Sequence, residues 1–378
     1  MQDSKFFPEI RGNFGFGCMR LPMTNGKVDY DEFKRMADAF VDAGFNYFDT
    51  AHGYLGGQSE TAIGDCVSAR YDRSRFLLAN KLTDPYFQKQ EDIRPFFEQQ
   101  LGWCKVDYFD FYLMHAQDHN NYEKFKRLKA YETAYRFKEE GLIRHFGMSF
   151  HDKAEVLDKI LTEHPEVEFV QIQLNYVDYE DASVESRKVY EICEKHDKPV
   201  VVMEPVKGGS LVNLPKEADQ ILRDLGGGSN ASYALRFAAS FPKIAMVLSG
   251  MSNMEQMQDN ISAMRDFKPL DERELEAVAK VCGIFKGLNL IPCTSCRYCV
   301  EENHCPKEIL IPDLFASLNA HEAFHNWNTG YYYNEVLTKG HGRAMDCIKC
   351  GKCEKVCPQH LSIRELLGDV SKVFDQGA

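Results

Sequence analysis

What the chain lacks narrows it first. No stretch of the 378 residues approaches the ~18 uninterrupted apolar positions that a membrane-spanning helix requires, so no membrane is expected among its partners. The opening segment, MQDSKFFPEI, has no basic region leading into an apolar core, hence no secretory signal, and a cytoplasmic location is expected. Positive charge is scarce: 45 Lys and Arg stand against 57 Asp and Glu, a net charge of -12. Nucleic acid and anionic lipid both demand a surplus of Lys and Arg on one face, so no nucleic acid is expected either. That acidity suits a soluble protein and, as a redox partner, a basic one. A glycine fingerprint is missing too. The first strand candidate runs into MRLPMTNGK rather than GxGxxG, which argues against an open dinucleotide-binding sheet.

What is present is a long alternation of short apolar runs with amphipathic ones, the signature of repeated β-α units and a parallel sheet. The strand candidates are residues 14–18, 46–50, 75–81, 108–115, 143–149, 168–175, 199–205 and 243–250. Between them, Phe125, Leu128, Tyr131 and Tyr135 predict one face of a helix over 121–140, and Leu157, Ile160 and Leu161 predict another over 152–163. Eight such units match a (β/α)8 TIM barrel in the α/β class, whose working residues sit at the C-terminal ends of the strands. The chain divides into a barrel at 1–268, a connecting helix at 269–289 and a small, mainly α-helical module at 290–378.

Three consecutive strand ends carry ionisable groups. FNYFDTAHGY ends a strand at Asp49 with Tyr54 just beyond, RFLLANK ends at Lys81, and YFDFYLMH ends at His115. Singly, a strand-end Asp caps a helix, a Lys is a solvated charge and a His is structural. Together on one rim they suit protonation of a carbonyl oxygen as hydride reaches its carbon. An ammonium beside a phenol favours phenolate and lowers its pKa, and a carboxylate holds the ammonium in place.

At these residues the chain resembles the aldo-keto reductase family. The resemblance covers roughly residues 14–265 and implies catalytic roles for Asp49, Tyr54, Lys81 and His115, with Tyr54 as general acid or base. The loop with Ser59, Glu60 and Gly64 fits the same pattern. So does GMSFH, where Ser149 falls at a position that binds the nicotinamide carboxamide, although Phe150 replaces the usual Asn. Gln171 matches a second carboxamide ligand. Met19, Arg20 and Asp49 are further cofactor-binding candidates by the same resemblance. Met203 stands where many members stack an aromatic ring, and Gly250 and Gln256 stand where NADP-preferring members place Lys and Arg, with Asn260 retained. NADP or NAD is therefore the expected coenzyme, with the choice open.

Thirteen cysteines are the chain's one excess, and eight crowd into two runs after residue 290. In a reducing compartment such runs are metal ligands rather than disulfides. Cys293, Cys296 and Cys299 are followed by Cys305-Pro306, and Cys347, Cys350 and Cys353 by Cys357-Pro358. This resembles the iron-sulfur run of bacterial ferredoxins, in which the fourth cysteine crosses to the other cluster. Two [4Fe-4S] clusters are implied, one on Cys293, Cys296, Cys299 and Cys357, the other on Cys347, Cys350, Cys353 and Cys305; structural zinc is the alternative. The segment between the runs resembles helical ferredoxin domains. Its histidines, His321, His325 and His341, are surplus to ligation, and aromatic residues from Trp327 to Tyr333 are free to line a pocket or pack. Cys18, Cys66, Cys104, Cys193 and Cys282 have no ligand spacing and serve as small apolar residues.

The expected function is that of an anaerobic oxidoreductase interconverting a small carbonyl compound and an alcohol, with a ferredoxin or another redox protein as a further partner. A flavin- or ferredoxin-linked electron-transfer enzyme, its flavin unannounced by any motif, is one alternative. A non-catalytic redox-sensing barrel with structural clusters is another.

Overall fold

Parallel strands close on themselves in this computed structural model, which describes residues 4–181, 184–288, 290–301, 305–324 and 329–375. In chain order the strands are β1 (Phe14–Gly17), β2 (Met23–Thr24), β3 (Lys27–Val28), β4 (Tyr47–Asp49), β5 (Leu77–Leu82), β6 (Phe109–Gln117), β7 (Ile143–Phe150), β8 (Phe169–Gln173), β9 (Val200–Met203) and β10 (Ile244–Gly250). The short β2 and β3 form a hairpin; the other eight make the barrel, with β1 paired to β4 on one side and β10 on the other. Closure leaves no sheet edge to satisfy. Register places Gly17 beside both Asp49 and Gly250, so the candidate residues of the first, second and last barrel strands reach one rim.

Alternation along each strand divides two apolar layers, as a side-chain period of two requires. Tyr47, Ala79, Phe111, Leu113, Phe169 and Met246 fill the interior. Phe48, Leu78, Tyr112 and Met114, their sequence neighbours, pack outward under the helices. The interior is crowded enough to dictate a glycine: a Cβ on Gly147 would stand 2.5 Å from the Phe169 ring. The floor is sealed by the N-terminal segment. Phe7 packs edge-on against Phe111 and Phe169 at 5.2 and 5.8 Å between centroids, and Asn46 ties the segment down by donating to the Glu9 carbonyl at 2.9 Å.

The helix expected across 121–140 is two helices, His119–Arg127 and Ala130–Glu139. Lys129 between them has φ 51, a left-handed conformation that no helix continues through. Phe125 and Tyr131 are buried as expected, while Tyr135 lies exposed. The helix over 152–163 forms as Ala154–Glu163 and buries Leu157, Ile160 and Leu161.

Residues 1–205 with 231–271 form one compact unit, and 206–230 with 272–378 a second. In the second unit helix Glu272–Gly287 packs on helix Lys216–Arg223. Its core gathers Ile309, Leu314, Phe315, Tyr333, Ile363 and Leu367. Asn319 accepts from Ile291 N–H at 2.7 Å and donates to its carbonyl at 2.8 Å. Gly208, at φ +63, sits so close to the cysteine loop that a Cβ would lie 2.4 Å from the Thr294 carbonyl oxygen. Among the described residues this unit is helical apart from one isolated bridge, Ile309 to Gly342. His321 pairs with Thr329 at 3.2 Å and His341 is exposed, whereas His325 and Trp327 lie outside the described residues. Among the described residues no helix is long and apolar enough to cross a membrane.

Candidate active site

Asp49 is the last residue of β4. Three residues of left-handed backbone, Leu55, Gly56 and Gly57, follow Tyr54 and turn the chain back at once, which holds the phenol over the rim. Lys81 is the penultimate residue of β5, and its ammonium donates to Asp49 Oδ1 at 2.7 Å and to the Thr50 carbonyl at 2.8 Å. That same Nζ lies 4.9 Å from the centroid of the Tyr54 ring. His115 on β6 meets the Tyr54 ring edge-on, 5.9 Å between centroids. Register along β6 and β7 breaks between Met114 and Gln117, and Ala116 takes φ 50, a bulge that re-aims His115. The structure thus brings the other three sequence-picked groups, Asp49, Lys81 and His115, together at the Tyr54 phenol.

Burial governs their electrostatics. It pushes the Lys81 pKa below that of an ordinary amine and the Asp49 pKa above that of an ordinary carboxylate, with the ion pair opposing both shifts. His115 is held well below the ordinary imidazole value, first by burial and then by the nearby Lys81 charge, so it is neutral at physiological pH.

The coenzyme candidates fall into two groups. Ser149 and Gln171 are register partners on β7 and β8. Ser149 Oγ accepts from Ala116 N–H at 2.8 Å, while Gln171 donates to Met203 Sδ at 3.7 Å. Gln171 Oε1 and Asp49 Oδ2 are buried and accept no hydrogen bond. A buried acceptor left empty costs about 1–3 kcal/mol, and an amide NH2 such as that of nicotinamide is a donor that suits Gln171 Oε1. The second group surrounds the end of β10. Arg20, which follows the half-buried Met19, pairs with Glu204 at 3.2 Å, and its side chain lies against Gly250, where a Cβ would meet it at 3.3 Å. Gln256 caps the loop by accepting from Ser252 N–H at 2.7 Å, and Asn260 donates to Ser249 Oγ at 3.0 Å.

The sequence reading missed the support beneath the rim. Thr83 Oγ1 lies 2.8 Å from His115 Nδ1; standing two residues after Lys81, it was findable from the strand period. Glu60, fully buried, accepts from Asn80 at 2.8 Å and Gln100 at 2.9 Å and pairs with His52 Nδ1 at 2.6 Å. Gln100 also donates to the Lys81 carbonyl at 3.0 Å. This network fixes the backbone that carries Lys81.

In the second unit Cys293, Cys296, Cys299 and Cys357 line one cavity, walled by Ile311, Phe315, Leu361 and Ile363. Four thiols around one cavity are a donor set that a [4Fe-4S] cluster takes. Of the second set, Cys353 is buried, Cys305 and Cys347 are half-buried and Cys350 is exposed.

Barrel and rim together define an oxidoreductase class, and the comparison with known proteins makes it specific. The aldo/keto reductase family model matches residues 13–282, and the chain belongs to that family. A 4Fe-4S dicluster domain follows at residues 292–361. Among curated relatives, the uncharacterized oxidoreductase YqkF of Bacillus subtilis is 25% identical over 70% of this chain and 90% of its own length. L-galactose dehydrogenase of Arabidopsis thaliana is 22% identical, over 72% of this chain and 91% of its own. Of solved structures, the holo form of an aldo-keto reductase from Bacillus halodurans superposes with a TM-score of 0.59 at 22% identity, covering 74% of this chain and 95% of that one. An aldo/keto reductase from Klebsiella pneumoniae in complex with NADP and acetate gives 0.57 at 20%, covering 71% and 90%.

Proposed function

We propose that the barrel interconverts a small carbonyl compound and the corresponding alcohol with a nicotinamide coenzyme, and that the C-terminal cysteines hold two [4Fe-4S] clusters. When bound, the coenzyme supplies or accepts the hydride. Tyr54 Oη holds the proton that the carbonyl oxygen takes as the alcohol forms, and receives it back in the reverse direction. Lys81 favours the phenolate that remains, through the charge it carries 4.9 Å from the ring. Asp49 fixes that ammonium. His115, neutral, orients the carbonyl: when the Thr83 hydroxyl donates to Nδ1, the ring proton sits on Nε2, the tautomer that donates to an oxygen. Ser149 and the empty acceptor of Gln171 would hold the carboxamide, with Met203 beside them. Cys293, Cys296, Cys299 and Cys357 would hold one cluster and Cys347, Cys350, Cys353 and Cys305 the other, supplying one-electron chemistry.

The observation that carries this reading is the buried Lys81 ammonium shared between Asp49 and the Tyr54 ring. It is tested by Tyr54→Phe, with coenzyme oxidation followed by absorbance across a panel of aldehydes and ketones. A fall of about 10²–10⁴-fold in kcat with little change in coenzyme affinity is expected. An unchanged kcat would end the proposal.

A further inference from the structure

Charge averaged over the chain hides a reversal. Between Lys339 and Lys355 there are five Lys and Arg against two carboxylates, in a protein whose net charge is -12. Both carboxylates face the fold's own groups: Glu354 pairs with Arg364 at 2.7 Å, and Asp346 accepts from Arg343 N–H at 2.8 Å. Lys349, Lys352 and Lys355 are exposed. Among the described residues neither Lys349 nor Lys355 has an ion-pair partner. Amid these cations stand two large apolar side chains that the fold does not cover, Met345 at 58% and Ile348 at 56% exposure. In the same stretch, between Lys349 and Lys352, stands Cys350, the one exposed member of the eight cluster cysteines.

We propose that this face is the docking surface for a small acidic one-electron carrier protein of the ferredoxin class. This rests on the reading that the C-terminal cysteines hold redox-active clusters. Exposed apolar side chains interleaved with exposed lysines along one short stretch suit a small contact with a dry centre and a charged rim. Electron-transfer encounters occupy the small end of interface sizes, below ~1,200 Å² in total, so such a contact needs no extended apolar surface. The local positive field raises the encounter rate of an acidic carrier while the acidic remainder of the chain repels it elsewhere, which selects the orientation. On this proposal the partner is acidic where the overall charge suggests a basic one, because association reads the local field.

The bland account is that the lysines only balance the negative charge of a thiolate-bound cluster, which would alter its potential but not partner binding. The test uses the full chain purified without oxygen, with its iron, and a small acidic ferredoxin as probe. Binding is measured by calorimetry across a salt series, beside the triple variant K349E/K352E/K355E checked for iron and sulfide. Expected are a dissociation constant that weakens at least about tenfold from low to high salt and a loss of at least about tenfold in the variant. Salt-independent affinity of the wild-type chain overturns the proposal, and needs no variant. So does an iron-replete variant that binds as wild type while its cluster potential moves. Binding to anionic vesicles or self-association through these lysines, with no ferredoxin bound, overturns it as well. Clusters that dithionite cannot reduce would instead sink the underlying reading; reducible clusters with no ferredoxin binding sink the surface alone.

Discussion

Replacing Lys81 by Met tests whether the ion pair behind Tyr54 is as buried as it looks. Met preserves the length of the side chain and deletes its charge, leaving Asp49 with neither the 2.7 Å contact nor a partner on Oδ2. Removing one member of a buried pair costs about 3–5 kcal/mol, because the remaining charge keeps its desolvation penalty. Asp49 can escape by staying protonated. Burial already raises its pKa with the ammonium present, and without it burial acts unopposed. The sign follows: the folded variant holds a proton that the unfolded chain, titrating near ~3.9, releases, so its stability falls as pH rises. The slope is at most ~1.4 kcal/mol per pH unit, from the unfolded value up to the raised folded one, and flat above. K81M is therefore expected to be nearest wild type at about pH 4 and several kcal/mol below it at neutral pH. Adding Asp49→Asn removes the titrating group, and K81M/D49N should recover most of the neutral-pH loss and lose the extra slope. Denaturant melts of the holoprotein, followed by circular dichroism without oxygen at several pH values, measure this. A loss independent of pH, or one that the added Asp49→Asn change does not relieve, would refute the reasoning.

Two further outcomes are expected. Gly147→Ala pushes a methyl into the Phe169 ring, 2.5 Å away, and should lower stability by about 1–3 kcal/mol, with Phe169→Leu in the same chain giving a combined loss smaller than the sum of the two, read from melting midpoints. Cys357→Ser should remove about half the iron and abolish the same electron paramagnetic resonance signal as Cys296→Ser; if it instead matches Cys350→Ser, the cysteines do not cross between the runs.

How much of this could be read in advance depends on how far each determinant lies along the chain. Buried parallel strands such as VVVM at 200–203 are continuous apolar runs, and their positions were plain. Asp49, Lys81 and His115 stood out because each interrupts such a run at its end. The break at Lys129 did not, since the apolar spacing from Phe125 to Tyr131 continues across it and only the backbone records the left-handed residue. Glu60 was invisible as a support, because Asn80 and Gln100 lie 20 and 40 residues away and no local pattern announces them. The lysines around Cys350 were in view but submerged in a whole-chain average.

The plugged barrel floor has a consequence for how the chain is made. Phe7 leaves the ribosome more than a hundred residues ahead of the rings it packs against, Phe111 and Phe169. β1 waits longer still, since one of its two neighbours is β10, the last strand of the barrel. Until residue 250 is out, the leading segment has no finished place to go, and its apolar side chains must be sheltered transiently. Synthesis therefore runs opposite to consolidation around the barrel floor: a segment made before every barrel strand is among the last parts of the barrel to be locked.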